Sequence, residues 1–255
     1  MDTSTIERHP SSHTAPNTNP VPATPPVGRL DMYAGIHKAL RLFMTRTLCR
    51  VGSTDPGDAE EVAATLDMVK RLLALCELHL KDENEFVHPA LEAARAGSTA
   101  RIAEEHEHHA ESLADLRDLA GLVADSRDEA RAAACSRLYR ALALFVAENF
   151  QHMEVEETAH NALLWAHYDD AELQSIEQAL AASIPPPVMF EALHWFLPAL
   201  NAPERTSMLD GMRQGMPPEP FLGVLDIAQR TLSPPDHAKL RRALGLPPVP
   251  GLVSA

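Results

Sequence analysis

The sequence predicts an all-α protein, an up-down-up-down four-helix bundle with a C-terminal extension of short helices. The 255 residues include only 11 glycines and 5% aromatic side chains, whereas Ala and Leu, which favour helices packed on helices, recur throughout. Apolar residues repeat at three- and four-residue spacing along four long segments. Short connections separate these segments, so we expect neighbouring helices to run antiparallel.

The chain divides into three predicted parts. Residues 1–28 are a Pro-, Ser- and Thr-rich leader with few apolar side chains, a composition that is typical of disorder because it cannot offset ordering entropy. Residues 29–168 hold the four long helices. Residues 169–255 hold the C-terminal extension, which we expect to pack on the bundle.

Start and stop signals define the first two long helices. The first runs from about Leu30 to Arg50. Asp55 is a predicted N-cap with Pro56 at the first helical position, which opens the second helix. We expect this helix to bend or break around Pro89, because a proline inside a helix removes a hydrogen bond and clashes with the preceding turn.

The third and fourth helices follow the same logic. Ser98 is a predicted N-cap for a helix that reaches about Val123. Ser126 and Glu129 form a predicted capping box for the fourth helix, which runs towards Tyr168.

Proline pairs interrupt the C-terminal part and predict short amphipathic helices. No repeat of fixed period extends across the whole chain. The predicted helices lie at roughly residues 171–182, 188–200, 204–213, 220–231 and 235–244.

Charge and cysteine content narrow the functional classes. With 36 acidic and 22 basic side chains, the net charge of −14 repels phosphate backbones and anionic lipids. We therefore expect no nucleic-acid or membrane partner. The N-terminus lacks a signal-peptide pattern, which predicts a cytoplasmic protein. Cys49, Cys76 and Cys135 have no metal-binding or disulfide spacing and are expected to be small buried hydrophobes.

Histidines and glutamates interrupt the inward apolar stripe of every long helix. Left without partners in a core, each would cost about 1–3 kcal/mol to desolvate. Imidazole and carboxylate ligands suit iron, and a carboxylate can bridge two metal ions. The stripes therefore predict a non-haem centre with two iron ions per chain. The candidate ligands are His37, His79, Glu83, His106, His109, His152 and Glu156.

Four short segments carry a family resemblance: Ile36–Arg41, His79–Glu83, Glu105–Glu107 and His152–Glu156. They resemble the hemerythrin-like family, also called the HHE cation-binding domain, over about residues 30–168. The resemblance implies a diiron centre in a four-helix bundle. It also implies that Glu83 and Glu156 bridge the irons and that the terminal ligands are His37, His79, His106 and His152.

Two assignments stay open at this point. The oxygen-carrying hemerythrins place two histidines four residues apart on the third helix, whereas His109 follows His106 by three. His109 is therefore either a fifth histidine ligand or a core histidine that donates to Glu105 on its own helix. On the fourth helix the oxygen carriers use His-x-x-x-x-Asp, and here Glu156 and Glu157 both follow the histidine. The stripe favours Glu156.

Other polar residues near the stripes are given structural roles. His108 lies off the stripe and is expected on the surface. Tyr33 shares the inward stripe with His37 and is expected to pack, and the alternative is a hydrogen bond to a ligand. His88, His160 and His167 are expected at helix ends or on the surface, and the alternative is a place next to the metal ligands.

The leading functional hypothesis is a protein that binds or senses dioxygen, or reacts with peroxide as a catalase or peroxidase does, at its iron centre. One alternative is an iron sensor that signals occupancy to a protein partner through the C-terminal helices. A second is iron storage or oxidation, which ferritin-like bundles perform with more carboxylate and less histidine. A third is a metal-free interaction module in which the seven groups form a polar network.

Overall fold

A computed structural model describes residues 28–248 of the chain. The predicted leader, residues 1–28, lies outside the described residues except for its last one. Between residues 28 and 248 the chain is helical and contains no β-strand, which confirms the predicted all-α class. None of the helices in this part of the chain has the length and apolar character needed to span a bilayer.

The N-terminal part is built from four long helices and two short ones that continue them. The long helices pack in a ring, each against its neighbours, as a bundle. Two π-helical turns, Glu83–Val87 and Glu156–His160, join a long helix to a short one. The α-helices of this part are α1 (Ala34–Ser53), α2 (Ala59–Asp82), α3 (His88–Ala94), α4 (Ala100–Asp125), α5 (Asp128–Val155) and α6 (Asn161–His167).

The predicted break at Pro89 takes the form of a π turn. The backbone N–H of His88 donates to the carbonyl of Glu83, five residues earlier, so the helix widens without ending. Pro89 then lies in the first turn of α3, a position at which proline is tolerated.

Asp58, and not Asp55, caps α2, so the predicted N-cap is wrong. The Asp58 carboxylate accepts from the backbone N–H groups of Glu60 and Glu61 at 2.9 and 3.0 Å. Asp55 instead accepts from the backbone N–H of Gly57 at 2.8 Å and forms the turn before the helix.

The serines predicted to open the third and fourth helices bond backwards instead. The Ser98 hydroxyl donates to the carbonyl of Leu91 at 2.9 Å, and the Ser126 hydroxyl donates to that of Leu122 at 2.6 Å. Each serine thus satisfies the end of the preceding helix, and the predicted capping box with Glu129 does not form.

The C-terminal helices form a regular array. Each begins 16 residues after the one before it, and two-residue connections join them. Prolines occupy the first turn of the last four, where they favour helix initiation. The helices are α7 (Asp170–Ser183), α8 (Pro186–Ala199), α9 (Ala202–Gly215), α10 (Pro218–Thr231) and α11 (Pro234–Ala243).

Helices α8 to α11 share an apolar core that includes Leu197, Leu209 and Val224. Helix α8 also packs against α1, where the Trp195 indole stacks on the Phe43 ring with 3.5 Å between the ring centroids. Helix α7 packs separately, against the first π turn.

The bundle core has an apolar cluster at each end. Leu40, Leu113 and Phe145 belong to the larger cluster, whereas Leu91 and Leu164 belong to the smaller one. Along α1, α2 and α5 the predicted ligands lie between residues of these two clusters. The fold therefore places them at mid-height, away from solvent.

Candidate metal centre

Six of the seven predicted ligands meet in two adjoining groups. Each residue of a group offers one ligand atom, which is a histidine nitrogen or a carboxylate oxygen. Within each group these atoms all lie within 4.8 Å of one another. Two carboxylates belong to both groups. The first group is His37, His79, Glu83 and Glu156, and the second group is Glu83, His106, His152 and Glu156.

Glu83 directs one carboxylate oxygen at each group. Its Oε1 lies 3.3 Å from His79 Nε2 and 3.7 Å from His37 Nε2, both in the first group. Its Oε2 lies 3.4 Å from His106 Nε2 in the second group. The carboxylate therefore spans the two groups.

Glu156 repeats this arrangement from the opposite helix. Its Oε2 lies 3.5 Å from His37 Nε2, whereas its Oε1 lies 3.2 Å from His152 Nε2 and 3.7 Å from His106 Nε2. The side chain is fully buried. Two carboxylates that each face both groups are the arrangement that bridges a pair of metal ions.

The polar atoms of the centre fit metal ions. Among the described residues, both oxygens of Glu83 and of Glu156 and the Nε2 atoms of His37 and His79 are buried without a hydrogen-bond partner. Such atoms cost about 1–3 kcal/mol each when nothing compensates them. Two donors about 2.1 Å from one ion and about 100° apart are separated by about 3.2 Å. The distances between histidine nitrogens and carboxylate oxygens, 3.2–3.7 Å, are close to this separation.

Three of the histidines are held by hydrogen bonds on their outer nitrogen. His37 Nδ1 contacts Glu157 Oε1 at 3.0 Å, and Glu157 also pairs with Arg41. His152 Nδ1 contacts Glu105 Oε2 at 2.9 Å. An imidazole that donates from Nδ1 to a carboxylate leaves its Nε2 lone pair free for a metal.

The third outer contact joins His106 Nδ1 to Asn84 Oδ1 at 2.9 Å. Because Asn84 lies in the first π turn, directly after Glu83, this turn positions ligands of both groups.

Glu156 and Glu157 occupy different positions relative to the two groups. Glu156 is part of both groups, as the stripe predicts, and Glu157 contacts His37 from outside. Sequence reasoning gave Glu157 no role in positioning His37. The signal was available, because Arg41 lies one turn after His37 and can pair with a carboxylate that approaches it.

His109 lies beside the centre but outside both groups. Its ring is buried, 4.8 Å from the His152 ring and 6.0 Å from the Phe145 ring between centroids. The predicted bond to Glu105 is wrong, because that carboxylate contacts His152 and Arg101 instead. Its role as a ligand stays a prediction.

The electrostatics of the centre favour ionised carboxylates. Burial alone would raise the pKa of Glu83, but the imidazoles of His79, His106 and His37 outweigh it and hold the pKa well below its usual range. Burial lowers the pKa of His79 to about 4. A neutral imidazole beside an ionised carboxylate is the form in which both residues bind metal.

When no metal is present, two histidines of the centre have pKa values above the usual range, in contrast to His79. Burial opposes the charge of His37, but its contacts with the carboxylates of Glu157 and Glu83 outweigh it and raise the pKa to about 9. The same balance, with attraction from the nearby carboxylates of Glu156 and Glu83, raises the pKa of His106 to about 9.

Two of the histidines predicted to lie away from the metal ligands are buried, whereas others are exposed. His108 is exposed, as predicted. His88 and His160 are only 7% and 4% exposed, so the predicted surface position is wrong for both. Both lie at the boundaries of the π turns that follow Glu83 and Glu156. A histidine four or five residues after each His-x-x-x-Glu segment was the sequence signal for them.

A four-helix bundle that buries two adjoining groups of histidine and glutamate is a metal-binding helical protein. Residues 29–163 match the family model described as the hemerythrin HHE cation binding domain, and the chain belongs to this family. A search among curated proteins returned no match.

We expect Glu83→Gln and Glu156→Gln each to lower metal content from about two ions per chain to one or none, because each change removes a charge shared by both groups. Metal analysis of purified protein checks this. His108→Gln is the matched control, since His108 is exposed. Equal losses in all three variants would contradict the assignment.

If the six grouped residues alone hold the metal, His109→Leu should leave the metal content unchanged, because His109 belongs to neither group. The change also removes a buried Nδ1 atom that has no partner among the described residues. Loss of one ion, measured in the same way, would make His109 a ligand.

Proposed function

We propose that this protein is a non-haem diiron protein of hemerythrin type that binds or senses dioxygen, or reacts with peroxide. The observation that supports this best is the pair of four-residue groups that share Glu83 and Glu156. Histidine and carboxylate without thiolate is a donor set that suits iron, and two shared carboxylates suit two ions held close together.

The two groups would divide the metal ions between them. His37 and His79 would bind the first ion, His106 and His152 the second, and the two carboxylates would bind both. When bound, the iron pair supplies an open coordination position and the electrons that a small oxygen ligand exchanges.

The surrounding residues hold this centre rigid and dry. The outer contacts of Glu157, Asn84 and Glu105 fix the histidine rings with Nε2 directed inwards. Leu113 and Phe145, both buried, belong to the apolar cluster next to the centre and exclude water from that side. Because water is excluded, a small ligand that enters the site meets little competition from solvent.

We expect protein purified without chelator to contain about two irons per chain and to show an ultraviolet-visible band that changes when dioxygen or peroxide is added to the reduced form. The rate of peroxide loss then separates a binding protein from an enzyme. Glu83→Gln, measured in parallel, should lose the band. A chain that binds no metal after reconstitution with ferrous iron would contradict the proposal and favour the polar network.

The contact between α1 and α8 favours a second candidate function, in which the C-terminal helices report metal occupancy to a partner. Helix α1 carries His37, and the next residue, Lys38, forms an ion pair with Glu204 of α9 at 2.5 Å. The stack of Trp195 on Phe43 lies further along the same helix. A change at His37 therefore has a direct physical route to the C-terminal helices.

For this second function, metal loading should slow trypsin cleavage within residues 186–248 several-fold, and Trp195→Ala should abolish that protection while metal content stays unchanged. The lost stack costs about 2–4 kcal/mol of packing. Leu222→Ala is the control, because Leu222 is 64% exposed on α10. A metal-dependent change in cleavage confined to residues 30–168 would contradict the reporting function.

A further inference from the structure

Three buried polar side chains border the metal centre without belonging to either group. They are Tyr33, His88 and His160, which are 1%, 7% and 4% exposed, and we refer to them as the polar triad. None of them is among the proposed ligands. The question is what these buried polar groups bind.

The polar triad lies on one side of the centre. Tyr33 precedes His37 by one turn at the start of α1, whereas His88 and His160 follow Glu83 and Glu156 on helices that run the opposite way. In an antiparallel bundle these positions are at the same height. The triad therefore lies towards the end of the bundle at which α1 begins.

The first π turn is what brings His88 to this side. In an α-helix a residue five positions after Glu83 would lie on a different face. Here the His88 backbone N–H donates to the Glu83 carbonyl, so one wide turn places His88 directly after Glu83 on the same face.

Contacts tie the triad to both groups. The Tyr33 ring lies 5.3 Å from the His37 ring of the first group, and the His88 ring stacks on the His106 ring of the second at 4.9 Å and 14°. The Tyr33 hydroxyl lies 3.3 Å from His160 Nδ1, a long contact for a hydroxyl donor, and a hydroxyl hydrogen can rotate to another acceptor.

One polar atom of the triad is left without a partner. His88 Nε2 is buried and has no hydrogen-bond partner among the described residues. A buried nitrogen of this kind is costly unless a ligand or water satisfies it. The rings of His88 and His160 lie edge to face, with 6.2 Å between their centroids.

Among the described residues, the opposite side of the centre offers fewer donors, with one buried imidazole, His109, beside apolar side chains. There His109 contacts Phe145, and the buried Leu113 and Leu142 belong to the same apolar cluster. A small ligand that accepts hydrogen bonds is therefore stabilised better on the triad side than on the apolar side.

We propose that the polar triad is the hydrogen-bonding side of the small-ligand site, where the Tyr33 hydroxyl and the His88 imidazole donate to a small acceptor such as peroxide or a linear anion. This inference rests on the proposed function, because the ligand is held between the triad and the metal pair. It assigns Tyr33 and His88 to ligand selection rather than to metal binding.

The test measures azide affinity and iron content in the same samples of the full chain, reconstituted with ferrous iron and then oxidised. Tyr33→Phe removes one hydroxyl, and His88→Phe keeps a ring that can stack on His106 but removes both nitrogens. We expect each variant to bind azide about 5- to 20-fold more weakly, the loss of one buried hydrogen bond, with iron content unchanged.

Tyr168→Phe is the matched control. It also removes a partly buried tyrosine hydroxyl, but that hydroxyl donates to the carbonyl of Ala90. Azide affinity in this control should equal that of the wild type, and an equal weakening would overturn the inference.

The remaining outcomes separate the two proposals. Wild-type azide affinity in both triad variants, with iron retained, would overturn this inference and leave the diiron proposal intact. A wild-type chain that binds no iron would overturn both. The two variants change different residues of the triad. If only one of them retains its iron, the azide affinity of that variant decides the result.

Discussion

Two carboxylates buried without hydrogen-bond partners, Glu83 and Glu156, are the constraint on which the rest of this structure depends. An isolated ionised carboxylate in a core costs several kcal/mol, so cations or polarised donors have to surround it. Four imidazoles do so from four helices. The imidazoles in turn need their outer nitrogens satisfied, which explains why Glu157, Glu105 and Asn84 contact them from behind.

The bundle isolates this polar layer by closing it at both ends with apolar side chains. Phe145 and Leu113 lie on one side, and Leu91 and Leu164 lie on the other, where α7 covers them. The two ends are not equivalent, however. The π turns after Glu83 and Glu156 widen α2 and α5 at one end only, and buried polar side chains are present there. Local departures from α-helical geometry are common where a site needs a side chain that regular spacing would misplace.

Helical periodicity was sufficient to predict the fold class and to place all seven candidate ligands on inward stripes, and six of them meet in the two groups. It failed where the helix is not α. A template of 3.6 residues per turn places His88 away from Glu83, so its burial followed only from the π turn, which depends on tertiary contacts. The caps failed for another reason, because Asp55 and Asp58 have the same capping chemistry and only the turn before α2 chooses between them.

Protons and metal ions are two ways to neutralise the carboxylates, and geometry favours the metal. With no metal, protons on His37 and His106, whose pKa values are raised to about 9, supply positive charge. A charge-assisted N–H to carboxylate bond is about 2.7–2.9 Å long, yet the nearest contacts between histidine nitrogens and the carboxylates of Glu83 and Glu156 are 3.2 and 3.3 Å. All four oxygens of Glu83 and Glu156 consequently stay unpaired. A metal ion between the donor atoms contacts several of them at once, which a proton cannot do. The distances between the histidines and the two carboxylates therefore suit a bound metal better than hydrogen bonds.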